Sequence, residues 1–429
     1  MSTHAPELPR SIPSCPRILP VREQARVVND LLRLRLDRLL PQVMQETGFD
    51  TWIIVCNEDN HDPVFNAMIP FDTWAPILQI IAFCLNPDGT VDRLNISLTN
   101  LKDMYQRKWD LNAADDQWTT LVKILRDRRP KRIGINQSDV IWAADGLTAT
   151  LKERLVAALG PKLSARMESA EKLCVRWLET FIEEELPVYE QAVRLTHHII
   201  AETFSTSVIT PGVTTTTDLR WFFWQSLADR GLTYSFTPFF DVQRSDEMKK
   251  RFDPADGVIR QGDLIHCDVG LIYMRFITDL QENAYVLRTG ESDAPQGLRD
   301  ALSQTNRLQD IFMGEFRQGL TGNQILNTAL AKAREAGLSN PRIYSHSVGR
   351  FLHEPGPLIG LPWEQNDTGA RGEVNLDYDT CFTMELGVRH PVQEWGGQLV
   401  SMSCEQDIVF RRDGATCLDG RQTRLHLIG

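Results

Sequence analysis

The first 170 residues alternate between segments with helical spacing of apolar residues and short apolar runs typical of strands. Apolar residues recur every three or four positions from 21 to 48, which predicts an amphipathic helix. The runs at 50–57 and 131–138 predict strands, and the segment 76–98 predicts a hairpin that turns at a Pro-Asp-Gly sequence. A further helical pattern covers 146–159. This alternation predicts an α/β first domain.

The rest of the chain predicts two helices followed by strands that contain acidic residues. The helical patterns cover 181–204 and 208–231, and we place the domain boundary ahead of them, which gives domains 1–175 and 176–429. Three later strand-like segments each contain one central acid, namely Asp268, Glu385 and Glu405. A carboxylate inside a buried strand needs a cation to replace its lost hydration. Each acid alone would also fit a solvent-facing position on an edge strand.

Together with two further residues, these acids form an ordered set of five potential metal ligands. Four carboxylates and one imidazole suit two hard or borderline divalent cations. The sequence therefore predicts a metal centre whose ligands are Asp268, Asp279, His346, Glu385 and Glu405.

Asp268 and Asp279 are predicted to lie on two strands of one hairpin. The midpoint between them falls between Tyr273 and Met274, so a hairpin centred there would make the two aspartates direct cross-strand neighbours, roughly 5 Å apart. Tyr and Met are poor residues for a tight turn, which predicts a longer loop with the same centre. Two carboxylates at that distance repel unless a metal lies between them.

The segment SHSVGRFLHEPGP contains His346 and, seven residues later, His353. Its proline and glycine residues exclude the helical His-Glu-x-x-His motif of zinc proteases. A histidine pair on a strand and a loop suits one metal ligand and one proton-transfer group.

These segments resemble the pita-bread metallohydrolases, the family of methionine aminopeptidase, Xaa-Pro aminopeptidase, prolidase and creatinase. The resemblance covers residues 180 to 420, with the prolidase and creatinase branch also carrying a smaller α/β domain ahead of the catalytic one. The matching segments, in order, are GDLIHCDVG at 262–270, TDLQ at 278–281, HSVGRFLHEP at 346–355, FTMELG at 382–387 and CEQDIVF at 404–410. The expected fold is thus a creatinase-like α/β domain followed by a pita-bread domain.

The resemblance also implies roles for the individual residues. It makes Asp268 a ligand of one metal, Asp279 and Glu405 bridging ligands, and His346 and Glu385 ligands of the other metal. Two divalent ions are implied, with manganese expected first and cobalt, iron and zinc as alternatives.

The implied activity is hydrolysis of an amide or peptide bond by a hydroxide held between the metals. His353 would stabilise the tetrahedral intermediate, and Glu385 would also carry the proton of the attacking hydroxide. Two alternatives are a creatinase-like enzyme, a C–N hydrolase or lyase acting on a small carboxylate-bearing compound, and a homologue that binds without turnover.

The chain departs from the family pattern at positions that bear on substrate choice. Arg251 stands where the peptidases carry a histidine, and Glu282 stands where they carry an arginine. A second arginine that precedes the last glutamate is also missing, in the neighbourhood of Ser403. A guanidinium group suits a carboxylate partner, which is either an anionic group of the substrate or the partner in a structural ion pair. We therefore expect a carboxylate-bearing substrate and weak cleavage of generic Xaa-Pro peptides.

Three other histidines are candidate substrate-binding residues. His266 precedes Asp268 by two positions and should share its strand face, with a backbone carbonyl partner as the alternative. His390 follows Glu385 in a predicted loop. In two-domain relatives the region around His61 leans over the neighbouring subunit's site, which implies a homodimer, whereas a solvated loop is the alternative.

Composition limits the remaining classes of function. A net charge of −11 argues against nucleic-acid binding as the main activity. The apolar stretches are too short to span a bilayer, and the proline-rich first 20 residues fit neither a signal peptide nor a helix. The eight cysteines form no Cys-x-x-Cys pair and are expected to be reduced thiols. We therefore expect a cytoplasmic enzyme that acts on a small molecule or short peptide.

Overall fold

The computed structural model describes residues 15 to 429 and divides them into two compact units. The amino-terminal unit comprises Leu19–Glu184 and Gly349–Gly356, and the carboxy-terminal unit comprises 15–18, Glu185–Val348 and Pro357–Gly429. The domain division at residues 175 and 176 stays a prediction. Most of the proline-rich start, residues 1–14, lies outside the described part of the chain.

The amino-terminal unit contains a six-stranded mixed sheet in the order β4-β3-β2-β1-β5-β6. Its strands are β1 (Thr51–Asn57), β2 (Leu78–Leu85), β3 (Val91–Asn95), β4 (Gln106–Arg107), β5 (Ile133–Ile135) and β6 (Met167–Ser169). Its helices are α1 (Val21–Leu34), α2 (Leu40–Thr47), α3 (Pro63–Met68), α4 (Gln117–Arg128), α5 (Ala149–Ser164) and α6 (Glu171–Glu179). The α/β prediction is therefore confirmed.

Individual elements of this unit follow from their residues. The predicted helix at 21–48 is helical throughout, with a π-helical turn at Arg35–Leu39 between α1 and α2. It ends at Gly48, whose φ of 74° is costly for other residues. The apolar strand β1 is paired on both edges, with β2 and with β5. Its side chains are buried on both faces from Thr51 to Cys56, as the continuous apolar run predicts.

The carboxy-terminal unit contains helices and three sheets. The helices are α7 (Leu186–Thr203), α8 (Thr216–Asp229), α9 (Asp246–Arg251), α10 (Gln296–Met313) and α11 (Gly322–Glu335). The strands are β7 (Thr233–Tyr234), β8 (Phe239–Gln243), β9 (Leu264–Val269), β10 (Leu271–Tyr273), β11 (Phe276–Ile277), β12 (Leu280–Val286), β13 (Arg342–Val348), β14 (Leu358–Ile359), β15 (Thr380–Thr383), β16 (Glu385–Val392), β17 (Gln398–Cys404), β18 (Asp407–Arg411), β19 (Gly414–Cys417) and β20 (His426–Ile428). The sheets have the orders β11-β10-β7, β20-β12-β9-β8 and β17-β16-β13-β15-β18-β19, and β14 also pairs with β13.

Strand alternation separates the apolar core of this unit from its acids. Phe382, Met384 and Leu386 are buried in one cluster with side chains of α10 and α11. Because successive side chains of a strand point to opposite faces, Glu385 points away from that cluster. Cys404 is likewise buried in an apolar cluster, and it precedes Glu405 by one residue. The core thus fixes which face of the sheet carries the acids.

No helix within residues 15–429 is long and apolar enough to span a membrane.

Truncating a side chain of this core should destabilise the carboxy-terminal unit strongly. For Phe382→Ala we expect a loss of about 3–5 kcal/mol in the free energy of unfolding, because buried contacts are lost and a cavity remains. Urea unfolding followed by tryptophan fluorescence measures this loss. Leu399→Ala, at an exposed position of β17, is the matched control and should change stability by less than about 0.5 kcal/mol. Equal losses in the two variants would contradict this packing.

Candidate metal centre

The hairpin that carries Asp268 differs in register from the sequence prediction. Tyr273 pairs with Phe276 across a two-residue turn formed by Met274 and Arg275. Both turn residues have positive φ, 48° and 75°, a conformation that residues with a Cβ atom seldom adopt. The prediction of a longer loop centred between Tyr273 and Met274 is therefore wrong, because the local preference of these residues is overridden here.

This shift in register gives Asp268 a different cross-strand partner but leaves its side chain on the same face of the sheet. Asp268 pairs with Gln281, so Asp279 lies diagonally across from it rather than directly opposite. A displacement of two residues leaves side chains on the same face of a sheet. Asp268 and Asp279 therefore still converge.

Three carboxylates meet on this face. Gln281 and Glu405 exchange backbone hydrogen bonds of 3.2 and 3.1 Å, which links β12 to the end of β17. As a result, Asp268, Asp279 and Glu405 each place a carboxylate oxygen within 4.8 Å of the other two. Asp279 and Glu405 are buried, and Asp268 is half-buried. Carboxylates this close repel one another, and a bound cation would offset that repulsion.

His346 lies beside this carboxylate cluster. Its Nε2 is 3.6 Å from an Oδ2 atom of Asp279, and the imidazole is buried. Its Nδ1 lies 3.2 Å from the carbonyl oxygen of Ser347, which can only accept a hydrogen bond. In the neutral ring Nδ1 therefore donates, and Nε2 presents its electron pair on the side of Asp279, as a metal ligand does.

Glu385 shares a strand face with His346. It pairs directly with Tyr344 of β13, and Tyr344 and His346 are two residues apart. Directly opposed residues and residues two apart on a strand point to the same side. The charge of Glu385 also contributes to the raised pKa of Glu405, which indicates that the two carboxyl groups are close.

The surroundings of the Glu405 carboxyl group fit a cation in the carboxylate cluster. Burial is the main cause that raises the pKa of Glu405 well above its usual range, and the charges of Asp279 and Glu385 add to it. Among the described residues, its Oε1 atom is buried without a hydrogen-bond partner. A buried carboxylate oxygen with no proton donor and several anionic neighbours suits a divalent cation, so the residues present fit the predicted metals.

Asp407 is a buried acid whose importance the sequence prediction missed. Its Oδ2 accepts a hydrogen bond of 3.3 Å from the backbone N–H of Asp279. Burial, followed by the charge of Asp279, raises the pKa of Asp407 well above its usual range. The sequence signal that could have identified it is its place in the matched segment CEQDIVF, two residues after Glu405.

Two of the substrate-binding candidates in the carboxy-terminal unit, His266 and Arg251, differ in their surroundings. His266 contacts Asp241 and Gln281 through its ring nitrogens, so the alternative of a backbone carbonyl partner is wrong. Arg251 is exposed at the end of α9, with its guanidinium 5.6 Å from the ring of Phe252.

His390 lies within β16, not in a loop as the sequence predicted. It follows Glu385 by five residues, so strand alternation points the two side chains to opposite faces. The register with β17 is regular from Leu386 to Val392, which explains why the Gly-Val-Arg-His-Pro segment stays extended.

Two predicted residues belong to the amino-terminal unit. His61 is half-buried, and its Nδ1 lies 3.0 Å from the side-chain oxygen of Asn66. His353 is half-buried in the segment Gly349–Gly356. The roles assigned to these two histidines stay predictions.

Comparison with known proteins identifies the class to which this arrangement belongs. A sequence model of metallopeptidase family M24 matches residues 188–411, more than half of the 429-residue chain. The chain belongs to this family. No curated protein sequence matches it.

Solved structures are similar over nearly the whole length. X-Pro aminopeptidase from Thermotoga maritima MSB8 has a TM-score of 0.63 and 17% identity, with 90% of this chain and 99% of that chain covered. Xaa-Pro dipeptidase from Bacillus anthracis has a TM-score of 0.58 and 15% identity, with coverage of 95% and 100%. Prolidase from Pyrococcus furiosus has a TM-score of 0.53 and 14% identity, with coverage of 88% and 98%. These likenesses confirm the predicted fold, an α/β domain followed by a pita-bread domain.

Replacing Glu405 by its amide should stabilise the metal-free protein. Glu405→Gln keeps the side-chain size and removes a carboxyl group whose ionised form is disfavoured by burial, so the Tm should rise by about 2–4 °C for each kcal/mol gained. Added Mn²⁺ should raise the Tm of the wild-type protein more than that of the variant. Thermal unfolding with and without the ion measures both effects.

The matched control is Glu247→Gln, because Glu247 is exposed on α9. It should leave both Tm values nearly unchanged. A metal-free Glu405→Gln protein that melts below the wild type would show that the protein stabilises this carboxylate without a cation.

Proposed function

We propose that this protein is a dinuclear metal-dependent hydrolase that cleaves the C–N bond of an amide or short peptide. The observation that carries the proposal is the convergence of Asp268, Asp279 and Glu405 beside the imidazole of His346. Membership of metallopeptidase family M24 supports the same reaction class.

We assign the five side chains to two ions as the family resemblance implies. Asp268 would hold one ion, His346 and Glu385 would hold the other, and Asp279 and Glu405 would be shared. Oxygen donors with a single imidazole suit manganese, with cobalt, iron and zinc as alternatives. When bound, the ions would supply Lewis acidity that lowers the pKa of a water molecule and polarises the substrate carbonyl.

The chain's own residues would handle the protons. Glu385 is half-buried at the start of β16, where its carboxylate can accept a proton from the attacking water and return it to the leaving amine. His353 would donate a hydrogen bond to the oxygen of the tetrahedral intermediate. A protein that only binds its ligand has no need for this buried charge, which would cost stability without a cation. The homodimer and the cytoplasmic location stay predictions.

Loss of a shared ligand should remove both ions. For Asp279→Ala we expect native mass spectrometry of the Mn²⁺-loaded protein to show no bound metal, against two ions in the wild type. Asp229→Ala, at an exposed position on α8, is the control and should keep both. Two ions retained by Asp279→Ala would contradict the assignment.

A panel of Xaa-Pro dipeptides and small carboxylate-bearing amides tests which substrates the wild-type protein turns over. Activity on the amides alone would favour the creatinase-like alternative.

Loss of His353 should affect turnover and leave metal binding intact. For His353→Ala we expect kcat to fall by about 100-fold to 10,000-fold, the range for a positioned proton-transfer group. Steady-state kinetics and metal analysis of the same preparation measure the two properties. Loss of metal would instead make His353 a ligand.

A further inference from the structure

A row of polar side chains leads from the edge strand β8 to Asp268. Asp241 of β8 pairs directly with His266 of β9, and Gln281 of β12 pairs directly with Asp268. Because His266 and Asp268 are two residues apart on β9, all four side chains lie on the face that carries the predicted metal ligands.

These side chains form a continuous hydrogen-bonded chain. The Nδ1 of His266 lies 3.0 Å from Oδ1 of Asp241, and its Nε2 lies 3.0 Å from Oε1 of Gln281. The Nε2 of Gln281 donates to Oδ2 of Asp268 over 3.4 Å. Both ring nitrogens of His266 are therefore engaged by side chains.

The position of Gln281 between an imidazole and a carboxylate determines the orientation of its amide. Its NH₂ group faces Asp268, which accepts hydrogen bonds, and its carbonyl oxygen faces a ring N–H of His266. The reverse orientation would place the amide oxygen against the Asp268 carboxylate, where two acceptors repel. His266 thus supplies the donor that makes the favourable orientation complete.

The backbone of Gln281 is fixed as well. It pairs with Asp268 on one side and exchanges hydrogen bonds with Glu405 on the other. Its side-chain amide is fixed in turn by His266, which contacts the amide oxygen, and by Asp268, which accepts a hydrogen bond from the amide nitrogen.

We propose that His266, held by Asp241, is a positioning residue that orients Gln281 and, through it, the Asp268 carboxylate. This inference rests on the proposed metal-dependent function. It replaces the sequence prediction that His266 faces substrate, because both ring nitrogens are already bonded within the protein. Partners of a ligating carboxylate typically change metal affinity by about 10- to 100-fold when removed.

Stepwise titration with Co²⁺ tests the proposal, because its visible absorption reports the ligands of each ion. In Gln281→Met, which keeps the side-chain length and removes the amide, we expect the ion held by Asp268 to bind about 10- to 100-fold more weakly. The step assigned to His346 and Glu385 should keep its affinity and its absorption bands. His266→Phe should shift the same single step, and Asp241→Asn should shift it less.

Folding and general charge effects are controlled separately. Thermal unfolding of each metal-free variant shows whether it is folded, and Asp241→Asn carries the test if the substitutions at β9 or β12 prevent folding, because Asp241 is partly exposed on an edge strand. Asp229→Asn removes one negative charge, as Asp241→Asn does on β8, but at an exposed position, and should leave both Co²⁺ binding steps unchanged.

The outcomes separate this inference from the proposed function. Selective weakening of one step supports the positioning role. Two unchanged steps, or equal weakening of both, would overturn the inference and leave the metal-dependent function standing. Failure of the wild-type protein to bind Co²⁺ or Mn²⁺ would overturn both.

Discussion

Mutual repulsion among buried carboxylates governs how the carboxy-terminal unit is built. Asp268, Asp279 and Glu405 place oxygens within 4.8 Å of one another, and Asp407 lies behind Asp279 with its own buried carboxyl group. Burial raises the cost of each charge, and proximity raises it further. Without a cation, a rigid scaffold must hold such a cluster together, because any freedom would let the carboxylates separate.

Cross-strand pairing and the apolar core supply that rigidity. The exchange of backbone hydrogen bonds between Gln281 and Glu405 joins strands of two sheets at the cluster. On the strand that carries Glu385, the residues of opposite parity are packed against α10 and α11. A slip of one residue would bury Glu385 in apolar surroundings and expose Met384, so core packing and acid placement enforce the same register.

Alternation along single strands was predictable from the sequence, whereas pairing between strands was not. The apolar neighbours of Glu385 and Glu405 predicted one strand through each acid, and their burial in apolar clusters agrees with acids that face away from the core. The prediction of continuous strands is wrong, because Glu385 begins β16 after β15 has ended and Glu405 lies between β17 and β18. The register of Asp268 against Gln281 depends on Met274 and Arg275 adopting a left-handed turn, which their local preferences oppose. Likewise, no pattern within β9 identifies Asp241 as the partner of His266, because that contact depends on which strand lies alongside.

The departure from the family pattern at Glu282 is accommodated on the opposite face of β12. Glu282 is fully buried and pairs with Cys267. Because Glu282 directly follows Gln281 on β12, the two side chains point to opposite faces of the sheet. Its carboxylate is 3.6 Å from Nε2 of His197 and also contacts the imidazole of His426. Burial lowers the pKa of His197, but the hydrogen bond to Asp419 and the charge of Glu282 outweigh it, so the pKa is raised. A protonated His197 can thus offset the charge of Glu282 on this face of β12, away from the face that carries the predicted metal ligands. The negative charge that Glu282 introduces in place of the family arginine is therefore balanced by a neighbouring histidine.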